Sequence, residues 1–200
     1  MKVIETEIPG VLIIEPQVWG DERGYFLETY RAERYAEHGI PASMVQDNQS
    51  FSRQGVLRGL HVQHPRAQGK LVQVLAGEVF DVAVDIRRGS PTFGRWVGVT
   101  LSGDNKRQFW VPPGFAHGFL VTDDSALFVY KNTDYYSPQT EFSVRWDDPD
   151  IGIDWPLDGT PELSRKDLDA VCLKDIPSAR LPGYEGQLPP LEGGSLKKRG

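Results

Sequence analysis

Three things are scarce in these 200 residues, and each scarcity closes off a class of protein. Cys172 is the only cysteine, so no disulfide can form within the chain; that fits a reducing compartment, and the cytoplasm is the expected location. Lys and Arg number 22 against 28 Asp and Glu, a net charge of −6, which argues against a general nucleic-acid binder with a basic face. The same balance still allows a few Arg and Lys to line a pocket for a small anion. No apolar run is long enough to cross a membrane, and Lys2 and Glu5 interrupt the first residues, leaving no signal-peptide core. No internal repeat is present.

Glycine and proline, by contrast, are plentiful at 21 and 15 residues, which favours short strands and turns over long helices. Val11-Leu12-Ile13-Ile14 reads as a strand closed by Pro16, and Tyr25 to Tyr30 as another. From Lys70 to Ile86 the pattern has period two. Phe80, Val82, Val84 and Ile86 share one face, and Val79, Asp81, Ala83 and Asp85 the other, with Ala76-Gly77-Glu78 as the turn between two strands. Further strands are expected at 95–101, 107–111, 118–121 and 126–131. Two short helices are expected, Arg31 to His38 with Gly39 as its C-terminal cap, and one starting at Ser164. The sum is an all-β sandwich or barrel with a few short helices, occupying residues 1–175. Residues 176–200 are Pro- and Gly-rich and read as a loosely packed or disordered tail.

Two stretches carry chemistry. Gly55, His61, Gln63, Lys70 and Gly77 resemble the first motif of the cupin barrels, in which two His and a Glu bind a divalent metal. Here Gln63 and Lys70 stand nearest the second His and the acid. An ammonium donates hydrogen bonds and stabilises anions but cannot coordinate a cation, so no metal is expected. Pro112-Pro113-Gly114-Phe115-Ala116-His117 resembles the second cupin motif, which turns into a strand and presents its His inward. On the local pattern alone, His61 is either a hydrogen-bonded structural residue or a general base, and Lys70 either a surface lysine or a cation aimed at an oxyanion. His117 is a structural residue, a lone ligand or a donor to substrate.

Several ordered segments extend the likeness: Gly20-Asp21-Glu22-Arg23-Gly24, Val45-Gln46-Asp47-Asn48, Arg58-Gly59-Leu60-His61, Ser90-Pro91-Thr92-Phe93-Gly94, Tyr135-Tyr136-Ser137-Pro138 and Leu163-Ser164-Arg165-Lys166-Asp167. Together these are similar to the dTDP-4-dehydrorhamnose 3,5-epimerase family of the cupin superfamily. The resemblance implies a cupin-like jelly roll, no cofactor, and inversion at C3 and C5 of dTDP-4-dehydro-6-deoxy-D-glucose. It implies His61 as base held by Asp167, Lys70 beside the enolate oxygen, and Tyr130 as proton donor on the opposite face. It also implies binding residues at Arg23, Phe26, Glu28, Gln46, Asn48, Arg58, His117, Tyr136, Glu141 and Lys166. The partners implied are a dTDP-sugar and a second copy, in a homodimer with exchanged N-terminal strands; neither nucleic acid nor membrane is among them. The segment between His61 and Lys70 is one residue shorter than the family form. Alternatives from the same residues are a single-site epimerase or isomerase on a related dTDP-deoxy-ketosugar, and a non-catalytic nucleotide-sugar binding protein.

Overall fold

Two long strands organise the molecule, which is described over residues 1–186 by a computed structural model. These are β7 (Lys70–Asp85) and β10 (Phe115–Asn132), antiparallel partners along almost their whole length. Each is shared between the two halves of a roll. The first half of β7 pairs with β9 (Gln108–Val111) and its second half with β8 (Trp96–Ser102). The first half of β10 pairs with β6 (Leu57–Gln63) and its second with β5 (Gln46–Arg53). β1 (Lys2–Glu5) and β2 (Leu12–Glu15) extend the β9 side, and β11 (Glu141–Ser143) the β6 side. A separate two-stranded sheet is formed by β3 (Val18–Asp21) and β4 (Gly24–Leu27). The helices are short: α1 (Ala32–Ala36) and α2 (Arg165–Leu168). This is the all-β fold expected from the alternation, in the cupin-like form that the resemblance implied.

One expectation needs correction. Ala76-Gly77-Glu78 does not turn between strands; β7 runs through it with a register shift against β10. Gly77 sits at φ +76°, and a Cβ there would lie 1.7 Å from the Ser125 carbonyl oxygen. Glycine therefore allows the strand to bulge and bend where a turn residue would have ended it. The segments 118–121 and 126–131 are likewise parts of one strand, β10, bent at the same level.

The alternation along β7 separates two cores. Val79 and Ala83 join Val72, Phe109, Phe119 and Phe128 inside the roll, where Phe119 and Phe128 stack at 4.2 Å. Val82, Val84 and Ile86 turn outward onto a second cluster with Leu60, Phe142 and Leu173. Each fully buried side chain of this size contributes roughly 1.5–3 kcal/mol. The segment expected to be loose divides at the limit of the described residues. Ile176 and Leu181 are buried in the second cluster, the backbone of Arg88 bonds to Pro182 and Tyr184, and Arg87 lies between the rings of Phe115 and Tyr184. Residues 187–200 of that expected tail lie outside the described residues.

Candidate active site

His61 projects from β6 beside a close approach of two backbones. A Cβ on Gly59 would lie 2.6 Å from Gly118 Cα, so glycine at both positions lets β6 and β10 come together just before His61 and just after His117. Asp167 reaches His61 from α2, its Oδ1 lying 2.7 Å from His61 Nε2. The helix start places that carboxylate. Ser164 is the N-cap, its hydroxyl accepting from the Asp167 amide and donating to Asp167 Oδ2 at 2.7 Å, so the capping side chain itself orients the carboxylate. Burial alone would raise Asp167, but the His61 and Ser164 hydrogen bonds outweigh it and hold the carboxyl below the ordinary range. An ionised Asp167 accepts from Nε2–H, which leaves Nδ1 with its lone pair free. Burial pushes the imidazole below its usual pKa despite Asp167, so the neutral base form dominates near pH 7.

Lys70 opens β7, in the half of the roll that also carries Tyr130. It is in a protein-rich setting that lowers its pKa to about 8, against the opposing influence of Glu141 and Asp81. Neither carboxylate bonds to it: Glu141 takes Lys166 at 2.8 Å, and Asp81 takes His117 at 2.8 Å. The ammonium is thus charged at neutral pH and has no hydrogen-bond partner among the described residues. Tyr130 faces Asn48 across the β5–β10 pair and is pushed up by burial, so it carries its proton. His61 therefore stands in one half of the roll and Lys70 and Tyr130 in the other.

A narrow cleft of ≈ 20 Å³ is lined by His61, Gln63, Gln68, Lys70, Tyr136 and Glu141, with room for about one water. Around its mouth, the Tyr136 hydroxyl donates to Glu141 Oε2 at 2.9 Å and the Gln46 side chain bonds to Asn48 and to the Tyr136 amide. Arg58 donates to the Ser52 hydroxyl at 2.9 Å. A larger hollow of ≈ 820 Å³ lies between the β1 end and β8, but it has no histidine among its lining residues.

The structure thus gathers His61, Asp167, Lys70, His117, Glu141, Lys166, Tyr136 and Gln46 into one bonded and facing set, with Tyr130, Asn48 and Arg58 on the adjoining strands. Three expected binding residues sit elsewhere in the single chain. Arg23 bonds to Asp21 in the β3–β4 turn, Phe26 is 68% exposed against Trp19, and Glu28 bonds to Arg34 of α1. Two residues acquire importance that sequence reasoning did not give them. Asp81 is fully buried and holds His117, and the period-two face it shares with Ala83 was its only signal. Ser164 orients Asp167, and its place at the start of an expected helix did not say what the acid would face.

A cupin-like roll that lines one cleft with a carboxylate-held histidine and a lysine ammonium, and carries a protonated phenol on the strand between them, defines a class of protein, one equipped to move protons at carbon. Comparison with known proteins narrows the class. The family model for dTDP-4-dehydrorhamnose 3,5-epimerase matches residues 5–175. The chain is 58% identical over 175 residues to the dTDP-4-dehydrorhamnose 3,5-epimerase of Salmonella typhimurium, covering 86% of this chain and 96% of that one. It is 54% identical over 176 residues to that of Pseudomonas aeruginosa, covering 88% and 97%. A crystal structure of the Legionella pneumophila dTDP-6-deoxy-D-glucose-3,5-epimerase, in complex with dTDP-4-keto-L-rhamnose, superposes with a TM-score of 0.91 at 59% identity, covering 92% of this chain and 99% of that one. The chain belongs to the dTDP-4-dehydrorhamnose 3,5-epimerase family.

Proposed function

We propose that this protein inverts C3 and C5 of dTDP-4-dehydro-6-deoxy-D-glucose to give dTDP-4-dehydro-L-rhamnose, serving L-rhamnose formation. The observation that carries the reading is the His61–Asp167 pair, whose imidazole lines one cleft with Lys70. Both carbons are α to the C4 ketone, so their protons are acidic once the enolate is stabilised. His61 Nδ1 takes the carbon proton, and Asp167 steadies the imidazolium that forms. Electrons move into the carbonyl, and the Lys70 ammonium meets the developing negative charge on oxygen. Tyr130 gives a proton to the carbon from the opposite side, the ketone re-forms, and the centre is inverted. Solvent then restores the Tyr130 proton and removes the one on His61. Charge and atoms balance without an oxidant or reductant, so no cofactor enters this scheme.

At ≈ 20 Å³ the cleft is too small for the sugar ring of such a substrate, so only the reacting atoms reach into it. The rim is therefore the place for the nucleotide, with Arg58, Lys166, Gln46, Asn48 and Tyr136 as binding residues. His117 and Glu141 complete the sugar end. Arg23, Phe26 and Glu28 enter through a homodimer: the β3–β4 hairpin carries Trp19, Tyr25 and Phe26 exposed to solvent, an aromatic surface suited to a second copy. In that arrangement the N-terminal strands are exchanged and each hairpin completes its neighbour's site. The working compartment is the cytoplasm, in keeping with the lone Cys172.

The test is incubation with the substrate in D₂O, followed by NMR. Deuterium at both carbons with the L-configured product is expected. Label at one carbon would assign a single-site epimerase, and none would leave a binding protein. Mixing inactive Arg23→Ala and His61→Ala proteins tests the shared site. If each site draws on both copies, subunit exchange restores roughly a quarter of wild-type activity; no recovery would show that each site is built within one chain.

A further inference from the structure

Gln63 occupies the place where a metal-binding cupin carries its second histidine, and its side chain is almost wholly buried. Its amide is fully used. Oε1 accepts from the Ser137 amide at 2.8 Å, and Nε2 donates to the Tyr135 carbonyl at 3.0 Å and the Arg66 carbonyl at 2.6 Å. These partners fix which end of the amide is oxygen, since two carbonyls demand the NH₂ group. The bonds to residues 135 and 137 bracket Tyr136. Beyond them, the bond to Arg66 ties that turn to the loop between β6 and β7. On the exposed rim the same two loops are joined again, by Arg66 to Asp134 and by Gln68 Nε2 to the Asp134 carbonyl. Gln63 is the buried member of this clasp and lies on β6 two residues from His61.

What the clasp holds is a side chain of the cleft. Tyr136 lines it beside His61 and Lys70, its hydroxyl bonded to Glu141 and its amide to Gln46. We propose that Gln63 is a positioning residue that fixes Tyr136 against the bound nucleotide sugar, acting on affinity and not on proton transfer. A histidine could not replace it. A neutral imidazole offers one donor and one acceptor, whereas bracketing Tyr136 and holding Arg66 needs two donors and an acceptor. The amide therefore does in this chain a task that a metal ligand could not combine with its own.

The inference rests on the epimerase reading, and the test separates the two. In Gln63→Leu, KM is expected to rise about tenfold while kcat stays within about threefold, because buried partners are left unbonded and Tyr136 loosens. Gln63→His, keeping one donor and one acceptor, should fall between Leu and wild type, and it decides the matter if the Leu variant does not fold. The discriminating result is coupling. Tyr136→Ala alone should raise KM at least as much, and adding Gln63→Leu to it should change nothing further. Additive losses, a loss confined to kcat, or unchanged constants in a turning-over enzyme would overturn the role of Gln63. A wild-type enzyme that takes up no deuterium would instead overturn the epimerase reading.

Discussion

The roll contains two histidine–carboxylate pairs of nearly equal length, and they are electrostatically unlike. His61 and Asp167 meet at 2.7 Å, His117 and Asp81 at 2.8 Å. In the first pair the second carboxylate oxygen takes the Ser164 hydroxyl, and the acid is held below its usual pKa. In the second, Oδ2 has no hydrogen-bond partner among the described residues, and burial pushes the acid up in spite of His117 and Lys70. Access differs as well: the side chain of His61 is 27% exposed and that of His117 is 7%. An anchored anion beside an open imidazole can support a proton arriving and leaving. A poorly solvated acid beside a closed one serves better as a fixed polar wall. Pairing distance alone would not have told them apart.

The largest break in that comparison comes from removing the base. His61→Ala should lower kcat by about 10²–10⁴-fold with the fold intact, whereas His117→Ala should act mainly on KM. Steady-state kinetics with a thermal melt on each variant checks both, and near-normal turnover of His61→Ala would remove it from the mechanism. Lys70→Met should cost about 10²–10³-fold in kcat, since it deletes the charge that meets the enolate oxygen. The next effect is qualitative. Tyr130→Phe should still exchange carbon protons for deuterium, because His61 and Lys70 remain, but should form little L-configured product. Exchange and inversion lost together would mean that Tyr130 takes part in abstraction.

Substituting the two acids isolates the pairs themselves. Asp167→Asn leaves size and position but removes the ion that steadies the imidazolium, and kcat should drop about 10²-fold. Asp81→Asn, replacing an acid with an unpartnered oxygen, should change kcat by less than tenfold and stability by about 1 kcal/mol or less. Equal losses in the two variants would erase the distinction drawn between the pairs.

Much of this was legible in the chain, and the gaps have physical causes. The alternation over Lys70–Ile86 showed which residues share a face, because a strand repeats every two residues whatever it pairs with, but not which face turns into the roll. Local pattern could not show that β7 continues through Gly77, since glycine serves a bulge as readily as a turn and only the bent partner strand decides. His61 and Lys70 stood out by motif. Asp167 lies 167 − 61 = 106 residues beyond His61, and only family resemblance proposed that pairing before the fold brought them together. The burial of Ile176 and Leu181 was hidden by the Pro- and Gly-rich composition around them, which describes backbone freedom and not the apolar side chains that dock.

The finest test reads the second pair through its neighbour. His61 must be neutral to accept a proton, so activity rises with pH through its pKa, which burial places below 6.5. Lys70 must be charged, so activity falls as pH rises through about 8. The profile of kcat/KM should therefore be flat near neutrality with its alkaline limb near that value. Asp81 is one of the two carboxylates that raise Lys70 towards charge. Replacing it by Asn should move the alkaline limb to lower pH while leaving the acid limb, set by His61 and Asp167, where it was. A limb that does not move would mean that Asp81 already carries its proton at that pH, leaving Asp167 as the ionised acid of the two and the contrast between the pairs greater still.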